Sequence, residues 1–153
     1  MKTDKLLHSR YQIQQELNCK PGRKTLLATD VQTQNRVVVK ILQFHQLFQW
    51  DDLKLFEREA NILKTLDYPA IPRYLDFFET EVDGNHSFVL VQEYIEAPSL
   101  ESVIQSGRRF SVAETQALAE KLLIILNHLH SKLPPIIHRD IKPSNILLAN
   151  CSS

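Results

Sequence analysis

The chain of 153 residues is 43% apolar and 24% charged, with 18 basic side chains matching 18 acidic ones, a balance that suits one globular domain with a real core. This neutrality leaves no basic field to attract nucleic acid or an anionic membrane, and the longest aliphatic run, Leu122–Leu126, is far too short to cross a bilayer. Residues 1–10 lack the apolar stretch of a signal peptide, and the two cysteines, Cys19 and Cys151, lie far apart without a Cys-x-x-Cys or Cys/His pattern, so reduced thiols, a cytoplasmic location and no metal cluster are expected.

Residues 11–42 predict three antiparallel strands. Tyr11-Gln12-Ile13-Gln14 alternates apolar and polar, Thr25-Leu26-Leu27-Ala28 follows, and residues 36–42 are β-branched and apolar. The Asn, Pro and Gly of Asn18–Lys24 mark a first turn, and Asp30–Asn35 a second. Val37-Val38-Val39-Lys40 ends in a lysine on an otherwise buried-looking strand. A helix follows, with Asp51 or Asp52 as its cap and Leu53, Phe56, Ala60 and Leu63 as an apolar stripe. Glu59 falls three after Phe56 and four before Leu63, on the edge of the inward face. Pro69 and Pro72 lie in the connection that ends this helix. Two further strands, Tyr74–Glu79 and Ser87–Tyr94, flank the turn Val82-Asp83-Gly84-Asn85.

Beyond Tyr94 the pattern becomes helical. Pro98-Ser99-Leu100 opens a short amphipathic segment that Gly107 closes. Ser111-Val112-Ala113-Glu114 reads as a capping box, starting a helix that runs to about His130. Its late apolar residues cover most of the circumference, as in a helix from the middle of a larger helical domain. Pro134-Pro135 ends it.

A polar loop then lies between the apolar runs 134–137 and 146–149. It holds a base candidate, Asp140, a cation two residues on, Lys142, and an amide three further, Asn145. Phosphoryl transfer draws most of its catalysis from positioning and charge neutralisation, which such a set supplies. The bland alternative is a surface loop in which Arg139 and Asp140 pair with each other.

His138-Arg139-Asp140 with Asn145 resembles the catalytic loop of protein kinases, His-Arg-Asp-x-x-x-x-Asn, and Val37–Lys40 resembles that family's Val-Ala-Ile-Lys. Phe56–Leu63 is similar to the family's αC helix, and Glu93-Tyr94-Ile95 to its hinge. The resemblance implies an α+β fold: an N-lobe over residues 11–95 with a five-stranded antiparallel sheet and the αC helix, then the first helices and catalytic loop (138–145) of a helical C-lobe over residues 96–150. It implies ATP and Mg2+ as cofactors and a protein substrate, with Lys142 pointing to the serine/threonine subclass and the whole to the bacterial, eukaryotic-like type. By the same resemblance Asp140 is the base, Lys142 contacts the transferred phosphate, and Asn145 binds the metal. Lys40 pairs with the α- and β-phosphates and with Glu59. Leu17, Val38 and Leu147 line the nucleotide, backbone groups of Glu93 and Ile95 bond the adenine, and Gln92 is a polar gatekeeper.

The chain departs from the family at several points. With Leu17 and Ala28 aligned, Asn18, Lys20 and Arg23 stand where three phosphate-covering glycines are expected. Their side chains hinder close backbone approach, and Pro21 has no N–H to offer. An ordinary hairpin is the expectation there, although Lys20, Arg23 and Lys24 could compensate with charge. Val38 narrows the adenine pocket where alanine is usual, and Tyr68 replaces a histidine. The family's Asp-Phe-Gly, whose aspartate binds magnesium, follows the loop, yet residues 146–153 contain no acid. A C-terminally truncated kinase domain, inactive or extremely slow alone, is therefore expected. Its helix at 111–130 would be left bare for a missing C-terminal half or another protein. The alternative function is a catalytically dead, kinase-like binding or regulatory module.

Overall fold

The computed structural model describes residues 6–44 and 49–149, so Cys151 lies outside the described residues. The chain divides into two compact units, Met1–Tyr94 and Ile95–Ser153. In the first, strands β1 (Leu6–Leu7), β2 (Tyr11–Lys20), β3 (Arg23–Asp30), β4 (Arg36–Gln43), β5 (Tyr74–Val82) and β6 (Asn85–Glu93) form one antiparallel sheet in the order β1-β2-β3-β4-β6-β5. A single helix, α1 (Trp50–Thr65), belongs to the same unit. The second unit holds α2 (Leu100–Gln105), α3 (Val112–His130) and a 3-10 turn, Pro143–Asn145. The α+β class expected from the sequence is the one observed.

Strand alternation splits the sheet between two cores. Val37, Val39 and Ile41 of β4 join Tyr11, Leu26 and Val89 on one face. Leu42 joins Leu53, Phe56, Ala60, Phe88 and Leu90 on the other, where α1 packs. Burying Phe56 there contributes roughly 1.5–3 kcal/mol. The five expected strands all form. The sixth, β1, places Leu7 in the first core while Leu6 stays half exposed, a pairing too short for periodicity to reveal.

Two local expectations need correction. The first turn is not Asn18–Lys24: β2 continues to Lys20, and only Pro21 and Gly22 turn. Proline fixes φ at the first central position, and Gly22 takes the positive φ (74°) that the second position of a type II turn demands. Nor does Asp51 or Asp52 cap α1. Gln49 is the N-cap, without a side-chain bond, and the helix begins two or three residues earlier than a cap at Asp51 or Asp52 implies. Both carboxylates fall in the first turn, where they still favour the positive end of the helix dipole.

The capping box at Ser111 and Glu114 is present in full, with both reciprocal bonds made. α3 is mostly uncovered: among its described residues only Leu129 is buried, and Val112, Leu123 and Ile124 are well exposed.

One ion pair clasps the start of β2 to the end of β3. Arg10 donates from Nε and Nη2 to the two Asp30 carboxylate oxygens at 3.0 and 2.8 Å, and Asp30 also accepts from the Gln32 N–H at 3.0 Å. The Arg10 bonds hold the buried carboxyl down at about 2, against an ordinary 3.8. A carboxyl depressed on folding stabilises fully above its unfolded value and loses that contribution as pH falls through the folded one. Between about pH 4 and 2 the wild type should therefore lose about 1–2 kcal/mol that Asp30→Asn does not lose. Urea midpoints measured across that range for both proteins check this; parallel curves would refute it.

Candidate active site

Lys40 reaches its position because β4 has period two. Its neighbours Val39 and Ile41 take the first core, so the Lys40 side chain is directed to the α1 face. On α1, Phe56 and Ala60 are buried, and Glu59 lies between them at the margin of that stripe. The result is a hydrogen-bonded ion pair, Lys40 Nζ donating to Glu59 Oε1 at 2.5 Å. Both side chains keep substantial exposure (30% and 41%), so the cation remains open to a further partner.

The register puts more of the expected nucleotide residues on this face. Val38 is opposite Gln92 and Leu27, and Lys40 is opposite Leu90 and Thr25. Cross-strand partners share a face, so Val38, Gln92 and Lys40 line one surface within the first unit. Leu17 falls in the irregular step between the Glu16↔Leu26 and Asn18↔Thr25 pairs and is 43% exposed. At Glu93 the backbone N–H is already donated to the Arg73 carbonyl at 2.8 Å, and its carboxylate accepts from the Arg73 N–H at 3.3 Å. The Glu93 N–H is therefore engaged, so of its two backbone groups the carbonyl is the candidate to meet adenine. The Ile95 carbonyl accepts from the Ala97 N–H at 3.0 Å.

In the second unit the polar loop is anchored on both sides. The Ile136 N–H donates to Leu129 at the end of α3, 3.0 Å. After the loop, Leu147 bridges Ser99, with Leu100 donating to Ile146 at 2.7 Å and Leu148 to Pro98 at 2.9 Å. These tie the loop to the start of α2. Pro143 opens the 3-10 turn, where a missing N–H costs nothing, and Arg139 takes a positive φ of 68°.

That backbone converges three side chains. Asn145 Nδ2 donates to both the Asp140 carbonyl and Asp140 Oδ2, each at 2.9 Å. Lys142 Nζ lies 3.5 Å from Asp140 Oδ1. His138 Nδ1 accepts from the Asp140 N–H at 3.2 Å, a loop-shaping bond that sequence reasoning did not assign. Asp140 thus has Lys142, not Arg139, as its ion-pair partner among the described residues. All three side chains are exposed, as groups that meet a solution substrate must be.

With Asn145 Nδ2 committed to Asp140, its Oδ1 is the atom left for a cation. Oxygen donors of this kind fit Mg2+, which keeps several waters and takes phosphate oxygens rather than a full protein cage. Among the described residues no cluster of three or more His, Cys, Asp or Glu could hold a metal, so the ion would depend on Asn145, a carboxylate and the phosphates themselves. Also among the described residues, no helix is long and apolar enough to cross a membrane.

Fold and motif order together define a phosphotransferase-like domain, and comparison with known proteins agrees. The chain belongs to the protein kinase family: residues 23–152 match the protein kinase domain. It is 38% identical over 95 residues to serine/threonine-protein kinase B of Synechocystis, covering 61% of this chain. It is 36% identical over 129 residues to human serine/threonine-protein kinase tousled-like 2 (80% of this chain) and 30% identical over 144 residues to serine/threonine-protein kinase PrkC of Bacillus subtilis (94%). The chain spans only 16%, 16% and 21% of the length of these three relatives. The family match begins at Arg23, immediately after the turn whose flanks depart from the glycine pattern.

The half-exposed Lys40–Glu59 pair should contribute little to stability, because exposed ion pairs are worth about 0–1 kcal/mol. Glu59→Gln is expected to shift the urea midpoint by no more than about 1 kcal/mol in free energy, whereas Phe56→Ala should cost about 3–5 kcal/mol. Equal losses for both would show that the pair holds the fold.

Proposed function

We propose that this chain carries the nucleotide-binding and catalytic-loop segments of a serine/threonine protein kinase of the bacterial, eukaryotic-like type, which moves the ATP γ-phosphate to Ser or Thr hydroxyls of a protein. Its kinase segments run over residues 11–95 and 96–150, in a cytoplasmic protein. The observation that carries the proposal is the convergence of Lys142 and Asn145 on Asp140 in a loop anchored at both ends.

Asp140 accepts the proton of the attacking hydroxyl as the new phosphorus–oxygen bond forms and ADP leaves. Lys142 offsets charge on the transferred group, and Asn145 Oδ1 holds magnesium, which when bound neutralises phosphate oxygens. Lys40, steadied by Glu59, contacts the α- and β-phosphates. Leu17, Val38 and Leu147 supply apolar contacts to the base, with the Glu93 carbonyl and Ile95 backbone at its edge. Serine/threonine selectivity rests on Lys142 and on the names of the relatives. A protein surface, either further kinase-domain sequence or a partner, covers the bare apolar residues of α3. The second reading, a non-catalytic kinase-like docking module, is favoured by one observation: side chains at Asn18, Lys20 and Arg23 where glycines are expected.

Titration with MgATP separates the two. The kinase proposal expects saturable binding that Lys40→Met weakens by about tenfold or more, the loss of a charge-assisted phosphate contact. No binding by the wild-type chain would leave the docking module. Because residues 146–153 add no acidic ligand, the 153-residue polypeptide by itself should transfer radiolabelled phosphate at or below detection. Turnover that disappears in Asp140→Asn would overturn that expectation. Exposed α3 should also bind an apolar dye, less so after Leu123→Lys and Ile124→Glu; a sharply melting monomer with no dye uptake would refute the uncovered face.

A further inference from the structure

The β2–β3 hairpin presents its basic residues to opposite faces of the sheet. Lys20 is opposite Arg23, Asn18 opposite Thr25, and Thr25 opposite Lys40, so these five side chains share the α1 face. Cys19 and Lys24 are opposite each other, and Lys24 is opposite Ile41, on the first-core face. The ion pairs agree. Arg23 Nη2 bonds Asp52 Oδ1 in the first turn of α1 at 3.0 Å, while Lys24 Nζ bonds Asp83 in the β5–β6 turn at 3.1 Å.

Arg23 faces Lys20 directly and Lys40 diagonally, spacings of about 5 and 7–8 Å between strand positions. Three cations therefore form a contiguous row against two carboxylates, Asp52 and Glu59. Lys20 has no ion pair among the described residues. Arg23 and Asp52 are both nearly half exposed, so their pair is weak and its guanidinium is readily exchanged. The hairpin backbone offers little in their place: Pro21 lacks an N–H, and the Gly22 carbonyl is engaged by the Gln43 N–H at 2.8 Å.

We propose that Lys20 and Arg23 are polyphosphate ligands. Arg23 leaves Asp52 for the phosphate oxygens of the nucleotide held by Lys40, its planar fork matching them in two bonds. Lys20 adds a second cation from the paired strand. Side-chain charge thus does the work for which glycine-flanked backbone amides are otherwise used. Asp52 competes with the phosphates and sets the affinity. The inference rests on the ATP-binding reading above and adds the residues that recognise the phosphate chain.

The test is calorimetric titration of the folded chain and its variants with MgATP and with AMP. Arg23→Ala should weaken ATP binding about tenfold and Lys20→Ala about threefold, with Arg23→Lys intermediate, as expected for charge-assisted contacts. Lys24→Ala, on the other face, should stay within about twofold, and AMP affinity should barely move in any of them. Asp52→Asn should raise ATP affinity about two- to fivefold by removing the competitor, whereas Asp51→Asn should not. If Lys40→Met weakens ATP binding but Lys20→Ala and Arg23→Ala do not, the inference fails and the kinase reading stands. Equal losses in Lys24→Ala, or parallel losses for AMP, would also overturn it, because they mark general disruption of the hairpin. A wild-type chain without ATP affinity would defeat both.

Discussion

The first unit depends on the two-residue period of β4. A central strand must offer both faces to apolar neighbours, and Val37, Val39 and Ile41 satisfy one face completely. The other face then receives Val38, Lys40 and Leu42 in turn. A lysine in that row is tolerated only if its ammonium reaches solvent or a carboxylate. The Lys40 side chain has both, because Glu59 lies at the margin of the α1 stripe. Slipping β4 by one residue would bury Lys40 in the Val-rich core and move Val37, Val39 and Ile41 out of it. The apolar pattern that folds the sheet is therefore the same constraint that aims Lys40 at α1.

The second unit solves a different problem. A loop of exposed polar residues has no core to order it, so its order comes from its ends and its own hydrogen bonds. The Ser99–Leu147 bridge and the Ile136–Leu129 bond hold the ends. Within them the 3-10 turn brings Asn145 back to Asp140, five residues away in sequence. Pro143 restricts that turn, and Asn145 satisfies the Asp140 carbonyl as well as its carboxylate. One amide thereby both shapes the loop and orients the candidate base.

Much of this was legible in the residues. Alternation in Tyr11–Gln14 and Arg36–Leu42, the stripe Leu53-Phe56-Ala60, and the Ser111–Glu114 box are local patterns, and the elements follow them closely. What was misread were boundaries and single partners. Asp51 and Asp52 looked like caps because acidic residues favour helix starts, yet Trp50 already belongs to the helix. Asn18–Lys24 looked like a long turn by composition, but Pro21-Gly22 suffices and the flanking residues pair. β1 offered too few residues for any pattern.

The sequence by itself determined the family, the order of the elements, and which residues are available for phosphate chemistry, since these are carried by spacing along one chain. Only the tertiary structure decided which of them meet. Arg23 to Asp52, Lys24 to Asp83 and Tyr11 to Asp76 join residues 29, 59 and 65 positions apart, separations that no local period encodes. It also decided which face each of Arg23 and Lys24, adjacent in the chain, takes. Opposite directions follow from the strand period alone; which of the two faces α1 is set by how β3 pairs with β4, with Arg23 opposite Leu42 and Lys24 opposite Ile41.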